Sequence, residues 1–352
     1  MTERELQELR SEKWRVNGRP VRTLEDAQEF IESVGFCLMY PTRPPVLTPT
    51  FVGAYVGSSE NLPTWQHAFA DPRAQEATDL MVRLLRQKNA YEANLFSETP
   101  FLVASSVFPF FYGLIGDRNP RQVPKIGPRS EYSPLAVHTF QVIQKDGPIS
   151  KPRLKEVLGG ELSSSALDRT LNELWSKLRI TRVDYNPEEG ASWDVLFRWS
   201  PDPVKEGMGL SIPEALTALV SKYMDCVVAA EQTEVEEFFG NFVGRSRARE
   251  AINALLSARE LQFITVSGRS LLQITPPRVA HVPRPKPEAT ATVEDESGQR
   301  QRPIAQRTRT GTPAHQGKSG EPPHNNARAP RSRGPRNRHP LSDKGPRPRR
   351  EP

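Results

Sequence analysis

The feature that most constrains this chain is an internal repeat without gaps, at a spacing of 81 residues, between roughly 133–185 and 214–266. Leu154, Val157, Leu158 and Gly159 recur as Val235, Phe238, Phe239 and Gly240. Leu171, Asn172, Leu174 and Trp175 recur as Ile252, Asn253, Leu255 and Leu256, and Ile180 and Val183 as Leu261 and Ile264. Two copies at a domain-sized spacing mark a duplicated module; a solenoid would show shorter and more numerous repeats.

Within the first copy, Ser133 and Pro134 suit the N-cap and first position of a helix running to about 144. Ser150 opens a second helix that Gly159 and Gly160 close, and 163–178 reads as a third. Residues 180–185 and 192–199 alternate as two strands around a turn at 186–190. In the second copy the helices fall at about 213–228, 233–239 and 246–259, with a shorter hairpin at 261–266 and 271–274. Helix, short helix, longer helix and hairpin is the order of a winged helix, a helix-turn-helix variant whose third helix occupies the recognition position.

Upstream, Thr23 and Asp26 form a variant capping box ahead of Leu24, Ala27, Gln28 and Ile31, and Gly35 ends that helix. Residues 36–40 are a short apolar run compatible with a buried strand, and 72–88 carries an apolar face at helical spacing. Seven aromatic residues between 91 and 112 read as packing for a first domain. The expected fold class is therefore mainly α with small β wings. It comprises a frayed N-terminus (1–20, with Trp14 the one packing residue), an N-terminal helical domain (21–120), a linker (121–132), winged helix 1 (133–203), winged helix 2 (211–275) and a disordered Pro/Arg-rich tail (276–352).

The tail stands out by composition. It has no Phe, Trp or Tyr and holds 15 of the 34 prolines, so it cannot offset the entropy of ordering. It carries 17 of the 48 Lys+Arg and 7 of the 42 Asp+Glu, a net +10; the first 275 residues are left at −4. The positive balance of the chain thus belongs to the tail, and only a local basic patch argues for nucleic acid on the folded part. Cys37 and Cys226 sit in apolar surroundings without a CxxC or zinc spacing, which reads as two buried thiols in a reducing compartment. A charged start is unlike a signal peptide, and no apolar run approaches the ~20 residues of a membrane span. The expectation is a cytoplasmic protein with no membrane contact, no metal and no cofactor.

The sharpest local signal is Gly244-Arg245-Ser246-Arg247-Ala248-Arg249, where the second recognition helix begins. Ala248, Ile252, Leu255 and Leu256 define its buried stripe, Arg247 and Asn253 lie opposite, Arg249 flanks the stripe, and Arg245 is expected just before the helix. Residues at that end of a recognition helix meet phosphates and base edges. Arg245, Arg247, Arg249 and Asn253 are the first candidate DNA contacts, with Arg269 of the small wing as an added one. On the first recognition helix, Ser164, Arg169 and Lys177 are candidates, but the wing tip carries Glu188 and Glu189, which favours a structural or protein-contact role for that unit. The tail cluster at 328–338 would bind polyanions without sequence preference. No Ser-His-Asp set, phosphate loop or metal site is visible. His138 falls on or beside a core stripe, and His67 is the other histidine ahead of the tail.

A first helix ending in Gly35, a buried strand, a long Leu-rich helix, an aromatic segment and tandem winged helices together resemble the AlkZ/YcaQ-like family, over roughly residues 24–275. That resemblance implies a bacterial DNA glycosylase that unhooks interstrand crosslinks. It sets the family's catalytic Gln–hydrophobic–Gln/Asp triplet at Leu38, Met39 and Tyr40, where Leu38 offers no polar group and the Tyr40 phenol is a poor base near neutrality. It also implies a His-Glu segment near 91–109, where this sequence has no His, and a C-terminal β-rich domain where the tail begins. The residues support a non-enzymatic DNA-binding tandem winged-helix protein related to these enzymes, with no catalytic residue carried over. An active glycosylase with an unconventional site and a winged-helix protein-interaction module stay open as alternatives.

Overall fold

The computed structural model describes residues 1–65, 70–94, 100–127 and 131–276. Its elements are mainly helical with small antiparallel sheets, and the expected tail from Pro277 onward lies outside the described residues.

The first 20 residues depart from expectation. Residues Glu3–Lys13 form helix α1, opened by a capping box between Thr2 and Glu5. Its partners lie more than two hundred residues away, which is why a wholly local reading saw only a polar, frayed segment. Arg10 Nε donates to the Val227 carbonyl at 2.9 Å and Nη2 to that of Ala229, and Trp14 Nε1 donates to the Cys226 carbonyl at 2.9 Å. These are carbonyls at and just past the end of a later helix, which has no internal donors left for them.

Helix α2 (Leu24–Val34) has the expected Thr23–Asp26 box and stops at Gly35, whose φ of +78° suits a residue without a Cβ. Strand β1 (Phe36–Leu38), helix α3 (Phe51–Val56) and helix α4 (Pro72–Arg86) follow. Then come β2 (Ala90–Ala93), β3 (Phe101–Ala104) and α5 (Phe108–Ile115). The three strands form an antiparallel sheet in the order β1-β3-β2, so the first domain is not purely helical as expected. Every residue of these strands is buried, so none shows the polar–apolar alternation by which a strand is read from sequence.

The repeat is visible element by element. The first copy runs α6 (Pro134–Asp146), β4 (Ile149–Ser150), α7 (Lys151–Leu158), α8 (Ser164–Trp175), β5 (Ile180–Asn186) and β6 (Gly190–Val195). After two further helices, α9 (Leu196–Trp199) and α10 (Pro201–Gly209), the second copy runs α11 (Ile212–Val227), β7 (Ala229–Ala230), α12 (Gln232–Val243), α13 (Arg245–Ser257), β8 (Leu261–Val266) and β9 (Arg269–Ile274). The starts of α7, α8 and β5 and those of α12, α13 and β8 keep the 81-residue spacing, and the sheet orders β4-β6-β5 and β7-β9-β8 correspond. Three boundaries differ from the sequence reading. The strand expected over 192–199 ends at Val195 and turns into α9; α12 continues through Gly240 to Val243; and Arg245 is the first residue of α13.

The two copies are buried differently. The first has its own core, from Ala136 and Phe140 on α6 to Trp193 and Val195 on β6. The second shares one core with the N-terminal sheet, where Tyr223 and Phe238 stack against Phe36 at ring separations of 6.3 and 5.9 Å. The linker is held by buried Arg179, whose Nη1 donates to Asp117 Oδ2 at 3.1 Å and to the Asn119 carbonyl at 2.6 Å, with its guanidinium 4.4 Å from the Phe140 ring centre.

Helices α5 and α10 approach so closely that a Cβ on Gly207 would lie 2.5 Å from the Pro109 carbonyl oxygen. Gly207→Ala should therefore lower the unfolding free energy by roughly 1–3 kcal/mol, the usual cost of overpacking. A denaturant titration reads this directly, and an unchanged midpoint would show that the helices have room to spare.

Candidate nucleic-acid interface

A cleft of about 600 Å³ opens between the N-terminal elements and the first repeat unit. One wall is α4, with Thr78, Met81 and Leu85, together with Met39 and Asn94. The other is α7 and α8, with Lys151, Lys155, Ser164 and Asn172, and the β5–β6 hairpin. Trp65 and Tyr185 give it aromatic surface, and Trp175 and Trp193 border it but are almost wholly buried. The volume is in the range, ~300–1,000 Å³, of sites that enclose a small organic molecule.

At its floor, Glu92 of β2 is 3% exposed, and its Oε1 accepts a hydrogen bond from Arg182 Nη1 of β5 at 2.6 Å. The Glu92 carbonyl accepts from Trp175 Nε1 at 3.1 Å and from Thr181 Oγ1 at 3.3 Å. The Arg182 guanidinium lies 4.4 Å from the Trp175 ring centre, 5.1 Å from that of Trp193 and 5.8 Å from that of Trp65. Burial pushes the Glu92 carboxyl above the usual carboxylate range, and the adjacent Arg182 offsets this only in part. Oε2 of Glu92 has no hydrogen-bond partner among the described residues. At the rim, Lys151 pairs with Asp168 and Arg86 with Asp184, each at 2.6 Å.

The triplet 38–40 singled out from sequence, of which only Leu38 lies in β1, behaves unevenly. Leu38 and Tyr40 are buried, and Met39 lines the cleft. The Tyr40 hydroxyl is 2.8 Å from Thr78 Oγ1, and burial raises its pKa further from neutrality.

The sequence-derived DNA contacts are scattered. Ser164 lies on the cleft wall; Arg169 is exposed on α8, and Lys177 pairs with Glu131 at 2.9 Å. On the second unit the arginines face carboxylates. Arg245 pairs with Glu237 at 3.1 Å, and Arg269 with Glu3 at 2.7 Å and Glu231 at 3.6 Å. Arg249 binds both oxygens of Glu236, at 2.9 and 2.7 Å, although Glu236 is only 6% exposed. Arg247 is exposed, with no ion pair among the described residues, and Asn253 is exposed beside it on α13. His138 is exposed, away from the core stripe expected for it, and His67 lies outside the described residues. Both cysteines are free and buried. Among the described residues, no group of three or more His, Cys, Asp or Glu could hold a metal ion, and no helix is long and apolar enough to cross a membrane.

Glu92, Arg182, Lys151 and the tryptophan cage were missed from sequence, because they come from six separated segments. The available signal was the tryptophans: three of the chain's five converge here.

The family model described as DNA glycosylase AlkZ-like matches residues 58–293. The chain belongs to this AlkZ-like family. Among solved structures, Streptomyces sahachiroi DNA glycosylase AlkZ aligns with a TM-score of 0.51 at 12% identity, covering 78% of this chain and 70% of that one. No curated protein matches the chain significantly. The AlkZ-like match takes in Glu92, Arg182 and both repeat units, whereas the triplet at 38–40 falls before it.

Arg249 holds the Glu236 carboxyl below the usual carboxylate range. A depressed folded pKa contributes stability that is present above the unfolded pKa and lost as pH falls through the folded one. Arg249→Ala should therefore lower Tm at pH 7, and the gap from wild type should narrow as the pH is brought down through that window. A gap that persists unchanged into acid would separate Arg249 from Glu236.

Proposed function

We propose that this protein binds duplex DNA and receives a nucleobase, taken out of the stack, in the cleft over Glu92 and Arg182. The observation that carries this is the composition of the cleft. The exposed Trp65 and half-buried Tyr185 offer aromatic surface beside polar groups on Glu92, Asn94 and Asn172, while Trp175 and Trp193 are buried against Arg182 beneath them. Flipped bases are read in this way, by stacking and by hydrogen bonds to their edges. Membership of a DNA glycosylase family supports DNA as the partner.

The two repeat units are read as winged helices over about 133–203 and 211–275, with α8 and α13 in the recognition position. Their roles exchange relative to the sequence expectation. The first unit borders the cleft with Lys151, Lys155 and Ser164, placed for phosphates flanking the bound nucleotide. The second, whose Arg245, Arg249 and Arg269 are already paired, is left with Arg247 and Asn253 as its open contacts. Its shared core makes it a brace for the N-terminal sheet. The tail, by its sequence, adds non-specific electrostatic capture, and the setting is the cytoplasm or nucleoid. With Leu38 at the end of β1 and Met39 and Tyr40 just after it, the primary role is recognition without the family's strand chemistry. A second reading, base excision by other residues, is favoured by the desolvated carboxylate of Glu92.

Fluorescence anisotropy of labelled duplex, titrated at several salt concentrations, tests the binding mode. Lys151→Ala/Lys155→Ala should weaken binding about tenfold and reduce the salt slope by roughly 2, one counterion per lost phosphate contact. Unchanged affinity and slope would remove the cleft rim from the interface.

A further inference from the structure

We infer that the outer edge of β8 is an interaction surface for a second copy of this chain, two β8 strands pairing antiparallel about a two-fold axis beside Phe263. This surface belongs to the second repeat unit and is independent of what the cleft binds.

In each repeat unit the sheet order leaves the same strand outermost, β5 in the first and β8 in the second. In the first unit that edge is already an interface. Arg182 of β5 donates to Glu92 of β2, and Asp184 of β5 accepts from Arg86 of α4, each at 2.6 Å. At the 81-residue spacing their positions are taken by Phe263 and Thr265. Both are exposed, Phe263 by 52%. The duplicated edge has kept its place and exchanged charged groups for an apolar one.

That edge has hydrogen-bonding capacity to spare. The Thr275 N–H donates to the Glu260 carbonyl at 2.8 Å, which sets the even-numbered residues of β8 as the ones bonded to β9. Bonded and non-bonded pairs alternate along an antiparallel ladder, so Leu261, Phe263 and Thr265 direct their N–H and C=O groups away from β9. Among the described residues, no backbone hydrogen bond reaches those groups. The usual means of blunting an edge are missing as well: Leu261–Val266 carries no charge and no proline, and its register with β9 is unbroken. The counterpart β5 has an irregularity between Arg182 and Asp184.

The strand is complementary to itself. With Phe263 opposite Phe263 of the second copy, Leu261 falls opposite Thr265 on either side of the axis. Each of these pairs joins residues whose backbone groups point outward, so each exchanges both of its bonds. The two exposed rings become a directly opposed cross-strand pair. Glu260, exposed and without an ion pair among the described residues, then lies two strands away, roughly 10 Å, from exposed Arg269 of the second copy, on the same face of the joined sheet. Opposite charges therefore meet at both ends of the seam. Any extended strand can use the backbone groups; the match of ring to ring and of Glu260 to Arg269 belongs to a second copy of this chain.

Sedimentation velocity of the full chain over about 1–300 μM tests this, because a seam so short lies at the small end of specific interfaces and should give a dimer with a Kd on the order of 10 μM. Phe263→Lys sets like charges across the axis and should raise Kd at least about tenfold. Thr265→Pro removes an N–H that faces away from β9, so it should weaken the dimer similarly while the melting curve stays near that of wild type. Phe263→Cys should give a disulfide-linked dimer under diamide, whereas Arg247→Cys, exposed on α13, should not; the native Cys37 and Cys226 are buried. If Phe263→Lys does not fold, Thr265→Pro and the cross-link decide. A wild type that stays monomeric over the whole range overturns the inference. So does a dimer that persists in folded Phe263→Lys or Thr265→Pro, or a Phe263→Cys chain that cross-links no faster than Arg247→Cys. A monomer in which the Phe263 and Thr265 amides resist hydrogen exchange would give the edge to another segment of the same chain, and equally overturns it.

Discussion

The pair of buried Glu92 and half-buried Arg182 is the interaction on which the arrangement of this protein depends. It joins β2 of the N-terminal sheet to β5 of the first repeat unit, and those two strands come from the opposite walls of the cleft. Withdrawing either charge from water costs several kcal/mol unless its partner and its remaining polar atoms are satisfied. The three tryptophans answer part of that cost for Arg182 through their ring faces. Their packing also brings aromatic side chains to a place where charge and accessible volume coincide. The same residues thus hold the two parts together and shape the site.

Duplication supplied two units of one topology, and their surroundings gave them different work. The second unit spends its apolar face on Phe36, Phe101 and Phe111 and pairs three of its arginines with carboxylates. The first keeps a separate core and turns α7, α8 and its hairpin toward the cleft. A surface arginine in an ion pair still attracts phosphate, but a carboxylate beside it reduces the local potential and competes for its donors. Lys151 at the cleft rim is paired as well, with Asp168, so what distinguishes the cleft from the start of α13 is its enclosed volume and aromatic lining rather than open positive charge.

The repeat, the helix caps at Thr23 and Ser133 and the long apolar face of α4 were legible in the sequence, because each is a local pattern of period, cap and stop. The N-terminal sheet was not, since strands buried on both faces lose their alternation. Helix α1 was not, since its polar sequence is ordered by carbonyls near the end of α11. The cleft was the least legible feature. Trp65, Glu92, Trp175, Arg182 and Trp193 have no common spacing, and only the tertiary fold brings them together. The arginines of α13 were legible as residues but not as ion pairs, because Glu236 and Glu237 were read as part of a neighbouring helix rather than as their partners. The family resemblance anticipated a mainly helical fold with small sheets, and it set the missing catalytic triplet at and just past the end of β1 while a carboxylate stood on β2.

The most direct test of the account is to locate the base. A duplex with a single 5-iodouracil in a weakened pair would be cross-linked by ultraviolet light to the full chain, and the modified peptide identified by mass spectrometry. The account predicts cross-links at Trp65 or Tyr185. Cross-links confined to α13 between Arg245 and Asn253, with none in the cleft, would contradict it.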